Sequence, residues 1–275
     1  MNNEKAIKNI RSELKSYIVK GNLKSVVLGV SGGIDSTLCA LLAKPVCDEL
    51  KIPLIGRSLP TSSNSGGENS RATEIGELFC TDFKETNIHS QFVDLAYMAY
   101  ENKEGQGHPH GSRRDIQNGN IKARIRMIYL YDLASVNQGM VLSTDNLTEY
   151  LLGFWTLHGD VGDYGMVQSL WKTEVYEMSQ WIAENELITV DERIAVQKVI
   201  EADATDGLGI SNTDLDQILP GWEGSSRDGY AKVDLTLQRL QEGIFIFDDP
   251  VAARHIRTNF KRMNPYNLKR YEIEK

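Results

Sequence analysis

Val26-Val27-Leu28-Gly29-Val30 runs straight into Ser31-Gly32-Gly33-Ile34-Asp35-Ser36-Thr37, so an apolar strand ends in hydroxyls, two glycines and an acid. Such a turn can hold a pyrophosphate. Glycine lets the backbone approach a ligand and offer its N–H groups, and Ser31, Ser36 and Thr37 add hydroxyl donors. A helix starting here aims the positive end of its dipole at the same point. A tight strand-to-helix turn with Asp35 or Ser36 as a cap is the simpler alternative, but it explains little about two hydroxyls and two glycines together. The chain holds neither GxxxxGK[ST] nor GxGxxG, which sets the loop apart from the Walker A and Rossmann phosphate sites.

Flanking patterns show what must position this loop. Apolar residues at Ile7, Ile10, Leu14, Tyr17 and Ile18 predict an amphipathic helix over 4–20, with Gly21 as its stop. A strand over Ser25–Val30, a helix over Leu38–Leu50, a strand over Pro53–Ser58, a Ser/Gly/Asn loop over Thr61–Gly67 and another helix follow. This alternation predicts an α/β fold with a doubly wound parallel sheet and flanking helices. Asn102–Gly119, rich in Gly, His, Arg and Asn, reads as a mobile loop and a candidate lid. A helix over Asn120–Asn137 and a buried strand over Met140–Ser143 come next, then a Gly-rich passage, Gly153–Gly165. The remainder reads as a helical C-terminal part, with helices at 172–185, 189–200, 212–219, 228–241 and 249–261.

The chain has 275 residues, 41% hydrophobic and 25% charged, enough for one large α/β domain spanning 1–275. A net charge of −8 argues against nucleic acid as the main partner. Charges interrupt the first residues where a signal peptide would be apolar, and no apolar run nears the roughly 18 residues of a membrane span. These features read as a soluble cytoplasmic protein. Cys39, Cys47 and Cys80 form no CxxC, which suits a reducing compartment.

The loop matches the SGGxDS signature of the ATP pyrophosphatases, which split ATP between its α and β phosphates. A second set of motifs narrows the resemblance: Gly119-Asn120-Ile121-Lys122-Ala123-Arg124-Ile125-Arg126-Met127, Leu142-Ser143-Thr144-Asp145-Asn146-Leu147-Thr148-Glu149, and Gly153-Phe154-Trp155-Thr156-Leu157-His158-Gly159-Asp160. With Lys172-Thr173-Glu174-Val175-Tyr176-Glu177, Gly207-Leu208-Gly209-Ile210-Ser211 and Phe260-Lys261-Arg262-Met263-Asn264-Pro265, they closely resemble the NAD synthetase family in the same order. Nearly the whole chain is covered.

That resemblance implies a fold like the adenine nucleotide alpha hydrolases. It also implies ATP-dependent amidation of deamido-NAD through an acyl-adenylate, with release of AMP and pyrophosphate. ATP would meet Gly29, Val30, Ser31, Gly32, Gly33, Ile34, Asp35, Ser36, Thr144 and Lys172, with Asp35, Ser31 and Ser36 closest to the chemistry. Asp35 and Glu149 would hold Mg²⁺, a cation that takes oxygen ligands. Deamido-NAD would meet Arg124, Asp160, Asp163, Phe260 and Lys261, and the family's homodimer would use the helix over Asn120–Asn137. Asn120 and Arg124 share a helix face, whereas Lys122 and Arg126 read as a solvated basic face. Thr144 can equally serve as an N-cap. About 25 residues precede the first strand, too few for a glutamine-hydrolysing domain, so ammonia is the expected nitrogen donor.

Departures from the family pattern fall at the dinucleotide side. Leu157 stands where the family has a lysine, Phe260 where it has a histidine, and Ile200-Glu201-Ala202-Asp203 where it has Pro-Ser/Thr-Ala-Asp. Ser58-Leu59-Pro60 replaces Arg-Leu-Pro, with Arg57 one position early and so on the opposite strand face. Two rivals fit these changes: an ATP pyrophosphatase adenylating a different acid or a nucleobase, and a non-catalytic nucleotide-binding homologue. His108 and His110 lack a carboxylate or thiol cluster nearby and are not assigned a metal. Tyr97, Tyr100, Tyr129 and Tyr131 read as core or interface, and Asp248-Asp249 before Pro250 as a helix start.

Overall fold

In the computed structural model, residues 1–101, 112–244 and 248–273 are described. From the N-terminus, α1 (Asn3–Lys20) leads to β1 (Ser25–Gly29), α2 (Ile34–Leu50), β2 (Leu54–Ser58), α3 (Gly66–Phe79), β3 (Asp82–Glu85), α4 (His89–Glu101), α5 (Ser112–Val136) and β4 (Gly139–Val141). Helices follow: α6 (Leu147–Leu152), α7 (Lys172–Asn185), α8 (Val190–Glu201), α9 (Asp214–Ile218), α10 (Ser226–Gln241), α11 (Pro250–Arg257), α12 (Asn259–Arg262) and α13 (Arg270–Ile273).

All strand pairs are parallel, in the order β3-β2-β1-β4. Alternation along the strands decides how the layers fill. Val27 pairs with Ile55 and Val141, and these three pack with Ile88 and with Ile125, Leu130 and Ala134 of α5. Val26 pairs with Leu54 and Met140, and together with Leu28 they join the larger core with α1, α2, α3, α7 and α8. Helices therefore cover both faces, as a doubly wound sheet requires. The path β1→β2→β3 steps one way and β4 lies on the other side of β1, so the strand order reverses between β1 and β4. Open α/β sheets bind ligands in the crevice beyond the strand carboxyl ends at such a reversal.

Several boundaries differ from the sequence reading. Helix α2 begins at Ile34, because Gly33 takes the cap position and Thr37 N already bonds to Gly33 O. Ser112–Gly119 forms the first turns of α5 instead of a loop. A Cβ at Gly119 would lie 3.1 Å from Ile210 Cδ1 and 3.2 Å from Leu208 Cβ, so this glycine marks close packing and not a chain break. The rest of the candidate lid, 102–111, with His108 and His110, lies outside the described residues, as does the Tyr100 side chain. The helix expected over 249–261 is divided at Thr258, whose hydroxyl donates to Arg254 O at 2.9 Å and whose side chain fills the space above Gly153. Asp249 caps α11 as anticipated, accepting from Val251 N and Ala252 N. Short β3, α4 and α6 were not foreseen; none of β3's residues is buried, which removes the periodic signal. Among the described residues no helix is long and apolar enough to cross a membrane.

All three cysteines are free; Cys39 and Cys47 are buried within α2, and Cys80 is half-buried. Burial, first of all, pushes the Cys47 and Cys80 thiols up to about 12 from 9.0. Between those values the folded chain holds more protons than the unfolded chain, so this contribution to stability is complete below pH 9.0 and is lost as pH rises toward about 12. Iodoacetamide at pH ~8.5 should label these thiols slowly in the native protein and quickly in urea; equal rates in the two states would contradict their burial.

Candidate active site

Gly32 has φ +78°, and a Cβ there would lie 2.4 Å from Glu68 O and 2.8 Å from Ala72 N. Only glycine lets the loop lie this close to α3. No side chain caps α2 at Gly33, which leaves its first N–H groups for an anion. Ser31 and Ser36 hydroxyls are 3.0 Å apart, and Gly33 N donates to Ser31 Oγ at 3.2 Å. Thr37 corrects the sequence reading: its buried hydroxyl donates to Gly33 O at 2.9 Å, so it braces the turn and does not line the cleft.

A cleft of about 430 Å³ opens over this loop and takes in Gly29–Ser36, Thr144, Glu149, Asp160, Lys172 and Lys261. At its floor Lys172, 2% exposed, donates from Nζ to Asp35 Oδ2 and, at 2.8 Å, to Glu149 Oε1. Asp35 Oδ1 accepts from Asn146 Nδ2 at 2.8 Å, and Glu149 also closes the capping box of α6 with Asn146. Burial opposes the charge on Lys172, yet Asp35 and Glu149 together outweigh it and hold the ammonium well above the usual lysine range. Burial and then Asp35 raise Glu149 to about 7, against the pull of Lys172. Three ionisable groups thus share one partly dry site, where each is held in place by the others.

Hydrogen bonds behind the lysine fix its backbone at the start of α7. Lys172 N donates to Thr148 Oγ1 at 2.9 Å, Thr148 Oγ1 donates to Asp234 Oδ1, and Asp234 Oδ2 accepts from Thr173 N at 2.9 Å and Thr173 Oγ1 at 2.8 Å. The Tyr230 ring lies 5.1 Å from Lys172 Nζ, and the Tyr230 hydroxyl donates to Asp214 Oδ2 at 3.0 Å. Burial raises Asp214 to about 7, and its Oδ1 has no hydrogen-bond partner among the described residues.

Sequence-predicted residues divide between cleft and periphery. Thr144 lines the cleft, and Asn146, not Thr144, caps α6. Asp160 faces the cleft and accepts from Thr156 N; burial raises its carboxyl, against the pull of that bond. Lys261 donates to Gly153 O at 2.7 Å and to Trp155 O, and burial, then Arg254, lowers it to about 8. Arg124, Asp163 and Phe260 do not line this cleft. Arg124 is exposed and donates to Leu157 O at 3.1 Å, Asp163 accepts from Val141 N at 2.9 Å, and Phe260 is 61% exposed.

Arg126 and Lys122 overturn the reading of a solvated basic face. Arg126 enters the cleft and donates to Leu59 O, Asn64 Oδ1 and Gly207 O. Lys122 is buried and donates to Ser63 Oγ at 2.8 Å and Leu208 O at 2.7 Å. Arg57 is tied to Asp82 at 2.8 Å, and Glu201 ends α8 outside the cleft. Asn146, Asp145, Tyr176, Thr205 and Asp214 also line or brace the site and were missed. For Asn146 a signal existed, since Asn146 and Glu149 stand at capping-box spacing.

The fit of Mg²⁺ rests on the donor set. Asp35 and Glu149 offer oxygen atoms that converge on one position now held by an ammonium, and hard oxygen donors around a positive charge suit Mg²⁺. Among the described residues no group of three or more His, Cys, Asp or Glu could hold a metal by itself.

A parallel doubly wound sheet carrying an SGGxDS loop at its reversal point gives this chain the α/β fold and the signature of the ATP pyrophosphatases. The family model described as NAD synthase matches residues 6–244, and the chain belongs to that family. NH(3)-dependent NAD(+) synthetase from Thermoplasma acidophilum is 30% identical over 267 residues, covering 94% of this chain and 95% of the relative. That from Wolinella succinogenes is 29% identical, covering 88% and 92%. In fold the chain is similar to NMN synthetase from Francisella tularensis, with TM-score 0.75, 22% identity and 98% of each chain covered. It is also similar to the NH3-dependent NAD synthetase from Campylobacter jejuni, with TM-score 0.66, 23% identity and 98% and 100% covered.

Lys172→Met leaves two acids at the cleft floor without their cation and should lower unfolding free energy by about 3–5 kcal/mol. Urea denaturation at neutral pH checks this; a loss under about 1 kcal/mol, as for an exposed pair, would contradict the burial argument.

Proposed function

We propose that the protein makes NAD by amidating deamido-NAD with ammonia at the expense of ATP. The observation that carries this reading is the convergence of Asp35, Glu149 and Lys172 on the open side of the Ser31–Ser36 loop. The nicotinate carboxylate oxygen attacks the α-phosphorus of ATP, the bond to the β-phosphate oxygen breaks, and an acyl-adenylate and pyrophosphate form. The uncapped start of α2 offers N–H groups to the departing pyrophosphate, and the Ser31 and Ser36 hydroxyls stand beside them. Lys172 follows the phosphates as a point charge on a flexible stem. Asp35 and Glu149 would hold Mg²⁺, which when bound neutralises charge on the phosphate oxygens. Ammonia then attacks the acyl carbon, AMP leaves and a proton is released. No side-chain nucleophile is needed.

Deamido-NAD would contact Asp160 and Lys261 within one cleft and Arg124, Asp163 and Phe260 across a homodimer contact. Exposed Val93, Tyr97 and Met98 on α4 and Ile128, Tyr131 and Val136 on α5 supply an apolar face for that contact. The names of the relatives given above support ammonia as nitrogen donor, and a cytoplasmic setting belongs to the same proposal.

Incubation of the dimer fraction with ATP, Mg²⁺, deamido-NAD and ammonium should yield NAD and AMP in equal amounts, and glutamine should not replace ammonium. Asp35→Asn should cut turnover by about 100-fold or more, a loss typical of removing one group that stabilises developing charge. NAD formation without AMP, or full turnover by Asp35→Asn, would contradict the proposal. AMP release with another acid but not with deamido-NAD would favour a different adenylating enzyme.

A further inference from the structure

Arg71, on the second turn of α3, is not part of the loop motif, yet it stands against it. The close approach that requires glycine at position 32 brings α3 onto the loop, and a Cβ at Gly32 would lie 3.2 Å from Arg71 Cβ. Arg71 Nε donates to Gly32 O at 3.0 Å, which sets the plane of the guanidinium. Arg71 lines the cleft, and a Cβ at Gly67 would lie 3.5 Å from its Nη1, so this nitrogen sits beside the Gly67 backbone. Among the described residues no carboxylate forms an ion pair with Arg71, whereas Arg57 is paired with Asp82 and Lys172 with Asp35 and Glu149. Of the cations that line the cleft, Arg71 is bonded to the backbone of the loop itself, whereas Arg126 and Lys261 are tied to other walls and Lys172 to Asp35 and Glu149. A guanidinium oriented through Nε, with its Nη groups uncommitted, has the planar donor fork that phosphate oxygens match.

We infer that Arg71 binds the pyrophosphate portion of ATP, its Nη groups donating to the phosphate oxygens above the Ser31–Ser36 loop; this rests on the reading of that loop as the leaving-group pocket. Arg71 is then a binding residue contributed by α3 that the loop motif does not contain.

Calorimetric titration with inorganic pyrophosphate, together with ATP and deamido-NAD kinetics, tests this on the parent, Arg71→Lys and Arg71→Gln. Arg71→Gln should weaken pyrophosphate binding and raise the KM for ATP by about tenfold or more, the range of a charge-assisted hydrogen bond. Arg71→Lys should fall between the two, the salt dependence of pyrophosphate binding should be shallower in Arg71→Gln, and the KM for deamido-NAD should not move. Pyrophosphate binding by Arg71→Gln within about twofold of the parent, as for an uninvolved surface position, overturns the inference and leaves the loop reading standing. Equal weakening in both variants with a lowered melting temperature assigns Arg71 a bracing role only and also overturns it. A parent that binds no pyrophosphate overturns the loop reading and the inference together.

Discussion

One ammonium between two carboxylates holds the site together. Lys172 begins α7, Asp35 lies in the first turn of α2 and Glu149 in the first turn of α6, so three helices meet at a single charge. Each group would be costly to keep there alone. Burial opposes the charge on Lys172 and raises Glu149, and only their proximity keeps an ammonium at the cleft floor. The contacts behind Lys172 follow from the same constraint: Thr148, Asp234 and Thr173 form a chain of hydrogen bonds that fixes the start of α7 from α10.

The sheet explains why these helices meet where they do. Because β4 lies opposite β2 across β1, the segments leaving β1 and β4 emerge side by side, one carrying Ser31–Asp35 and the other Thr144–Glu149. Gly32 then lets α3 close over the first segment, while Arg126 and Lys122 on α5 hold the 59–64 and 207–208 segments at the far wall. A helix start without a side-chain cap, a pair of serine hydroxyls that line the cleft and a charge cluster that can exchange its ammonium for another cation make a pocket suited to a leaving pyrophosphate.

The parts of this arrangement that depend on local sequence were legible. The glycine and serine spacing announced the loop, and short apolar runs announced β1 and β2. What depends on distant packing was not. Asp35 and Lys172 are 137 positions apart, and no pattern within either segment declares that they pair. Lys122 and Arg126 read as surface residues because helix periodicity tells which residues share a face but not which face meets a loop. Cleft-lining Ile116, Asn120, Met127 and Leu130 define the inner side of α5, and Arg124 lies outside it. Gly119 misled in the opposite sense: composition alone cannot tell a glycine that breaks a helix from one that lets Ile210 and Leu208 pack against it.

Transfer of the substrate's own oxygen tests most directly that this cleft serves an attack on the α-phosphorus. Deamido-NAD carrying ¹⁸O in the nicotinate carboxylate, turned over with unlabelled ATP and ammonium, should leave one labelled oxygen in the phosphate of AMP and none in pyrophosphate. Label in pyrophosphate or inorganic phosphate, or AMP free of label while NAD forms, would contradict it.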